Sequence, residues 1–410
     1  MNRCISTVIL SSSLLLFCCE SDTFITNLEN TSLKTEEVTA TKFKFKSYQT
    51  PPSVGGLPFI YAGNKDGYDA SKTLVEFESH EILRWANFQI DSGHFQFTLD
   101  TNYTIDTDLE SSFTLGYFRS DSNYTELISN YSNVGWINDD YPKLSSSVIT
   151  DSSGLKHLLF MVDSTTIQSL ADTTDGSWLY ILESTQINKN MLRFYSSNSL
   201  VNKPLFRAFI HEDTSSSDTS NSLDSTRIFE ALSDVTLFVP PALSSDWFDS
   251  SFSYIGVASG LITIVKPDLS ILDIPKEASI ARAKLILQVD RESSYHSNLD
   301  SLLFQAYAME DTVLDWSWGE VLNEDSYSHH TGTIARSLSS SLIDESILKI
   351  DVTEILQSII SERETDEKLV ADLGLKLKII SSKTIFDYIA IKKDSSGLDQ
   401  PKLEVLFEIP

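Results

Sequence analysis

Few residues in this chain have types and spacings suited to chemistry. Asp106, Asp108 and Glu110 alternate along Asp106-Thr-Asp-Leu-Glu110, so in an extended segment their carboxylates share one side. Two facing acids can hydrolyse a glycoside, and a cluster of oxygen ligands can hold a hard cation. The chain holds 58 acidic residues, so such groupings arise by chance and a calcium site is the better reading of this one. Asn64-Lys-Asp-Gly-Tyr-Asp69 is a second oxygen-rich stretch, although Asp66-Gly67 reads first as a hairpin turn that needs no ion. The histidines stand at 80, 94, 157, 211, 296, 329 and 330. Only His329-His330 are adjacent, and adjacent side chains in a strand point to opposite faces. There is no Gly-x-Ser-x-Gly elbow, phosphate loop, His-Glu-x-x-His or dinucleotide fingerprint. The expectation is a protein that is not an enzyme.

Aromatic residues are the remaining chemical signal. Sugars present apolar C–H faces that stack on exposed rings. Tyr131, Trp136 and Tyr141 cluster in an Asn/Asp-rich stretch that ends in Asp139-Asp140, and Trp316 and Trp318 sit two apart. Trp136, Tyr131 and Trp316 are therefore the candidate ligand-binding residues, with Trp318 read as core. With 58 acidic and 31 basic residues the net charge is −27, and no run of basic residues offsets it. Such a field repels nucleic acid and other polyanions, which favours a neutral polysaccharide or a surface protein as partner.

The elements that position these residues begin after an unusual N-terminus. Arg3, an apolar run from Ile5 to Phe17 and the pair Cys18-Cys19 resemble a bacterial lipoprotein signal, with Leu16 at −3 and Cys19 as the acylated residue. The run is too short to span a bilayer. All three cysteines fall in this stretch, so a chain processed at Cys19 has no other thiol for a disulfide or a Cys-ligated metal. The expectation is a protein of the cell envelope held to the membrane by its N-terminal lipid.

Polar segments divide the rest. Residues 1–18 read as signal peptide, 19–42 as a disordered tether, 43–210 as a first β-sandwich, 211–226 as a Ser/Thr/Asp linker and 227–410 as a second β-sandwich. The two large blocks share an order of features: alternating runs, then Asp-x-Thr-x-Ile, then a last strand opened by proline. The motif occurs as Asp163/Thr165/Ile167 and as Asp351/Thr353/Ile355. Asp351 suits a helix cap, with Glu354 three residues on, and Val352, Ile355, Leu356, Ile359 and Ile360 form one apolar face. The fold class expected is all-β, two tandem antiparallel jelly-roll-like sandwiches, each with one short helix.

Within residues 250–408, Asp268-Leu-Ser270, Ile274-Pro275, Ile280-Ala-Arg-Ala-Lys-Leu-Ile-Leu287, Trp318, Asp351-Val-Thr353, Gly374-Leu375 and Pro401-Lys-Leu403 occur in order. This order resembles the DNRLRE-type domain, a jelly-roll module of secreted bacterial and archaeal proteins. Pro267 departs from it, standing where the family has phenylalanine. The first block matches more weakly, through Asp163-x-Thr165, Phe194-Tyr-Ser-Ser197 and Pro204. The resemblance implies a β-sandwich and either polysaccharide binding or a structural, adhesive role without a small ligand. It implies no binding-residue set.

Overall fold

A computed structural model describes residues 34–80, 83, 88–100, 113–120, 124–172, 177–184, 191–212, 223–242, 251–295, 302–308, 335–340, 347–361, 374–381, 385–393 and 400–409. In chain order the first strands are β1 (Lys34–Ala40), β2 (Phe43–Gln49), β3 (Phe59–Lys65), β4 (Tyr68–Ala70), β5 (Lys72–Phe77), β6 (Phe88–Thr98), β7 (Phe113–Ser120), β8 (Lys143–Thr150) and β9 (Lys156–Asp163). Helix α1 (Ser164–Leu170) precedes β10 (Ser177–Ser184), β11 (Leu192–Tyr195), β12 (Leu205–Glu212) and β13 (Leu223–Thr236). Then come β14 (Phe252–Gly256), β15 (Leu261–Pro267), β16 (Ser279–Tyr295), β17 (Leu302–Ala308), β18 (Ala335–Ser340) and β19 (Ile347–Asp351). Helix α2 (Thr353–Ser361), β20 (Leu375–Ser381), β21 (Tyr388–Lys392) and β22 (Lys402–Ile409) complete the order.

The protein is all-β, and its strands pair antiparallel. Eight of them close a barrel in the order β10-β5-β13-β12-β6-β9-β8-β7. Alternation along β6 sends Phe95 and Phe97 fully inside while His94 and Gln96 stay half-buried. Phe77, Phe160, Tyr180 and Phe206 join them, with Phe95 stacked on Phe206 at 4.5 Å between ring centres. An eight-strand barrel is just wide enough for side chains to fill. Helix α1 adds buried Ile167 and Leu170 to this core. Gly93 makes room for that contact, since a Cβ there would lie 2.7 Å from Arg207 O and 3.0 Å from Ile167 Cδ1.

The first block was expected to be a sandwich, and it closes into a barrel. Period-two alternation is the same in an open and in a closed sheet. What closes this one is the pairing of β7 with both β8 and β10, which leaves no free edge. The later strands do form a sandwich-like pair of sheets. One runs β1-β22-β16-β21-β14 with β19 on β16, the other β18-β17-β20-β15-β2. Leu285, Leu287, Leu348, Ile350, Leu377, Leu403 and Val405 pack between them, with Phe304 and Phe407 as the large rings.

Two of the expected boundaries also move. Residues 34–42 were read as tether and 43–49 as part of the first block, yet β1 pairs with β22 and β2 with β15. Val38, Phe43 and Phe45 pack on the sandwich core, which is the physical reason the segment is held there. Residues 211–226 were read as a linker between blocks. His211 and Glu212 instead end β12, Leu223–Thr226 begin β13, and the two strands pair with each other inside the barrel. The strand continues to Thr236, so residues 227–236 belong to the barrel.

A small sheet, β11-β3-β4, connects the two bodies. Tyr61 and Tyr68 from it meet Phe386 edge-on at 5.8 and 5.2 Å, and Phe238 and Ala258 complete a buried cluster.

Both Asp-x-Thr motifs begin helices. Asp163 caps α1, its Oδ1 accepting the Thr166 N–H at 2.7 Å and the Thr165 hydroxyl at 2.9 Å. Asp351 Oδ1 accepts the Thr353 N–H at 3.0 Å and the Thr353 hydroxyl. Val352, Ile355, Leu356 and Ile360 are buried and Ile359 packs against the same core, as the spacing predicts.

Candidate functional site

Of the residues singled out by sequence, those the structure describes do not gather into one site. Cys19, Asp106, Asp108, Glu110, Trp316, Trp318 and His329-His330 lie outside the described residues. Trp136 is half-buried, packed on Phe118 at 6.1 Å within a cluster that includes Leu74, Val134 and Tyr141. Tyr141 is buried and its hydroxyl donates to Glu183 Oε1 at 2.7 Å. Tyr131 alone of this trio is exposed, so the three rings form no common surface. Asp139 is an ion-pair partner of Lys72 at 2.5 Å. Asp66 and Gly67 both have positive φ, 51° and 85°, so Asn64–Asp69 is a hairpin turn made by backbone geometry alone. Among the described residues no three His, Cys, Asp or Glu side chains come together as a metal site.

One arrangement resembles a nucleophile relay. Asp151 Oδ2 lies 3.1 Å from His157 Nε2, and His157 Nδ1 lies 3.0 Å from Thr98 Oγ1 and 3.2 Å from Gln96 Nε2. Thr98 and His157 are buried, so no substrate reaches the hydroxyl. Asp151 also accepts the Ser153 and Leu155 N–H groups, and the Ser153 hydroxyl, then His157 and these backbone bonds, hold its carboxyl well below the usual range. The group ties the β8–β9 turn to β6. Its geometry is that of a structural network.

The surface that does present chemistry lies on the outer face of β14, β21 and β16. In the β14–β21 register Tyr254 faces Ala390 and Gly256 faces Tyr388, and a bulge in β16 brings Tyr295 opposite Tyr388. Ser293 N–H donates to Asp290 Oδ2, and Ser294 Oγ donates to Asp290 O while accepting the Ala390 N–H, so the bulge is fixed. The result is a row of rings, Phe252, Tyr254, Tyr388 and Tyr295, with neighbouring centres 6.1–6.4 Å apart, in which Tyr254 is buried and Tyr295 is the exposed end. Tyr388 and Tyr295 stack with 27° between their planes, and Tyr295 is 45% exposed. Gly256 lets β14 approach Tyr388 this closely, because a Cβ there would sit 2.8 Å from Tyr388 Cβ. Burial, then the neighbouring phenols of Tyr254 and Tyr295, raise the Tyr388 pKa, so it stays a neutral hydrogen-bonding group at physiological pH. Tyr68 approaches from the small sheet with its pKa pushed up to about 12, by burial first and then by Tyr388.

Sequence reasoning missed this row. Tyr254, Tyr295 and Tyr388 lie in separate strands, and only the pairing of β16 and β14 with β21 makes them neighbours. Their alternation with Ile255, Ile389 and Ile391 was the available signal, since those residues mark the opposite face as core.

The chain matches no family model, no curated protein and no solved structure.

Proposed function

We propose that the protein is a non-catalytic polysaccharide-binding lipoprotein of the cell envelope, attached to the membrane through Cys19. The observation that carries this reading is the row of rings ending in Tyr388 and Tyr295. Partly exposed rings with phenol groups at their ends offer a sugar both an apolar stacking face and hydrogen bonds. The net charge of −27 favours a neutral glycan on this face. The resemblance of residues 250–408 to the DNRLRE-type domain points the same way. A structural or adhesive spacer without a small ligand is the competing reading, and an inert ring row is what it predicts.

A glycan-array screen of the mature protein, with and without calcium, tests the proposal. Binding to neutral glycans should fall at least about tenfold in Tyr295→Ala and Tyr388→Ala, the size expected for one lost stacking ring. Binding by neither the wild type nor the variants would favour the spacer. Anchoring is tested separately: Cys19→Ala should abolish lipid labelling and membrane retention. Retention of both in that variant would remove the anchor from the proposal.

A further inference from the structure

A concave site lies beside the ring row, with Gly256 on the boundary between them. It is a cleft of about 480 Å³ between the loop that follows β7 and the outer face of the β2-β15-β20 sheet. A volume of this size suits a small molecule. One rim is formed by Leu127 and Ile128, which are 67% and 62% exposed although they are adjacent and aliphatic. The loop that carries them is rigid. Asn130 N–H donates to Asn133 Oδ1 at 2.8 Å, Ser132 N–H to Asn130 Oδ1 at 2.9 Å, and Asn133 Nδ2 to Ile128 O at 2.8 Å. Glu126 fastens it to the opposite wall by accepting the Gly56 N–H at 3.1 Å. A Cβ on Gly55 would fall 1.9 Å from Glu126 O, so this closeness depends on glycine. The loop therefore holds two aliphatic side chains out over the cleft at a fixed position. Its asparagine amides are engaged in holding the loop and offer little to a sugar.

The far end of the cleft is lined by two lysines. Alternation along β20 turns Leu375 and Leu377 into the sandwich core and Lys376 and Lys378 onto the opposite face, where both line the cleft. Their cross-strand neighbours on β15 are apolar: Ile264 pairs with Lys376 in the register, and Ile262 lies beside Lys378. Lys44, Lys46 and Lys266 extend the same face across β2 and β15. Five lysines thus share one sheet face of a chain whose net charge is −27. The two in the cleft are hydrogen-bonded to each other, and burial, then the proximity of Lys378, draws Lys376 down to about 6. A pair so desolvated gains most from an anion that enters with little hydration of its own.

We infer that this cleft binds a small amphipathic monocarboxylate, its apolar body against Leu127, Ile128 and Ile262 and its carboxylate at Lys376 and Lys378. Charge and shape select the ligand together. An apolar body alone offers the lysine pair no anion, and a small anion alone leaves the aliphatic rim in water.

Isothermal titration of the full chain with decanoate, 1-decanol and acetate tests the inference. Decanoate should bind one to one, 1-decanol at least about tenfold more weakly, and acetate not measurably, since a charge-assisted pair contributes roughly tenfold or more. Lys376→Gln with Lys378→Gln should abolish the advantage of decanoate over decanol. Leu127→Ser with Ile128→Ser, both in exposed positions that leave the fold intact, should weaken decanoate and decanol alike. Equal binding of decanoate and decanol by the wild type, or decanoate binding that survives the lysine changes, would overturn the inference. So would uptake of several equivalents that ignores the loop changes, or no binding at all. None of these outcomes bears on the ring row, which is probed by glycans and by Tyr295 and Tyr388.

Discussion

The barrel is filled by rings, whereas the sandwich is filled mostly by Leu, Ile and Val. Phe77, Phe95, Phe97, Phe160, Tyr180 and Phe206 meet inside the barrel, while Leu285, Leu287, Ile350, Leu377 and Val405 meet between the two flat sheets. Facing sheets of a sandwich stand about 10 Å apart, a gap that aliphatic side chains from both sides fill. Strands across a closed barrel enclose a rounder space, and large planar groups reach its middle. The alternation of apolar and polar residues is the same in both bodies. The size of the inward residue is what separates them. The barrel also takes a polar ring into its interior, His80, packed between Phe206 and Phe229 with its Nε2 3.0 Å from the Tyr180 hydroxyl.

That histidine gives the strongest way to set the two bodies apart. Burial lowers the His80 pKa to about 3, while in the unfolded chain it is that of ordinary histidine, 6.5. The folded barrel thus refuses a proton that the unfolded chain accepts. The stabilisation is complete above about pH 6.5 and is lost as the pH falls from there toward 3, by on the order of 5 kcal/mol in all. Hydrogen exchange followed down this range should show β6, β12 and β13 losing protection before β16, β20 and β22. His80→Phe should flatten the barrel's response; an unchanged acid profile in that variant would place the sensitivity elsewhere.

Core truncations sharpen the contrast at a smaller scale. Phe95→Ala should cost about 3–5 kcal/mol and Leu287→Ala about 2–5 kcal/mol in denaturant melts. Each should lower exchange protection first in its own body. Loss of protection in both bodies from either change would show that the Tyr61–Tyr68–Phe386 cluster couples them into one cooperative unit.

The smallest effect compares the two helix starts. Asp163→Ala and Asp351→Ala should each cost about 0.5–2 kcal/mol, with Asn at either position restoring most of it. Asp163→Ala should be felt in the barrel and Asp351→Ala in the sandwich. An alanine variant that melts like wild type would remove the capping role at that position.

Much of this architecture was legible in strands with strict alternation, such as the runs around Phe95 and Leu287, and in the helix face from Val352 to Ile360. Segments whose inward residues are few or small were misread. Lys34-Thr-Glu-Glu-Val-Thr-Ala40 offers only Val38 and Ala40 to the core, so its composition is that of a tether. Leu223-Asp-Ser-Thr226 opens a strand on polar residues for the same reason. Sites fared worse, because they are assembled across strands. The absence of any basic run in the sequence concealed a face of five lysines, drawn from β2, β15 and β20 and interleaved with apolar residues. Trp136 stood out by residue type, and only the fold shows that it packs half-buried on Phe118.

The pairing of β1 with β22 has a consequence for the order in which the molecule is made. A ribosome delivers Lys34–Ala40 long before Lys402–Ile409, so β1 has no partner until nearly the whole chain has been synthesised. The barrel strands, from Lys72 to Thr236, are all available well before that point and can close among themselves. Because domains generally form as their residues emerge and distant pairings come last, the nascent chain should carry a finished barrel behind an idle pair of N-terminal strands. The second of them can dock once Leu261–Pro267 has emerged, whereas β1 stays unpaired until Lys402–Ile409 arrives, and Lys34, Glu36 and Glu37 place charge along it while it waits.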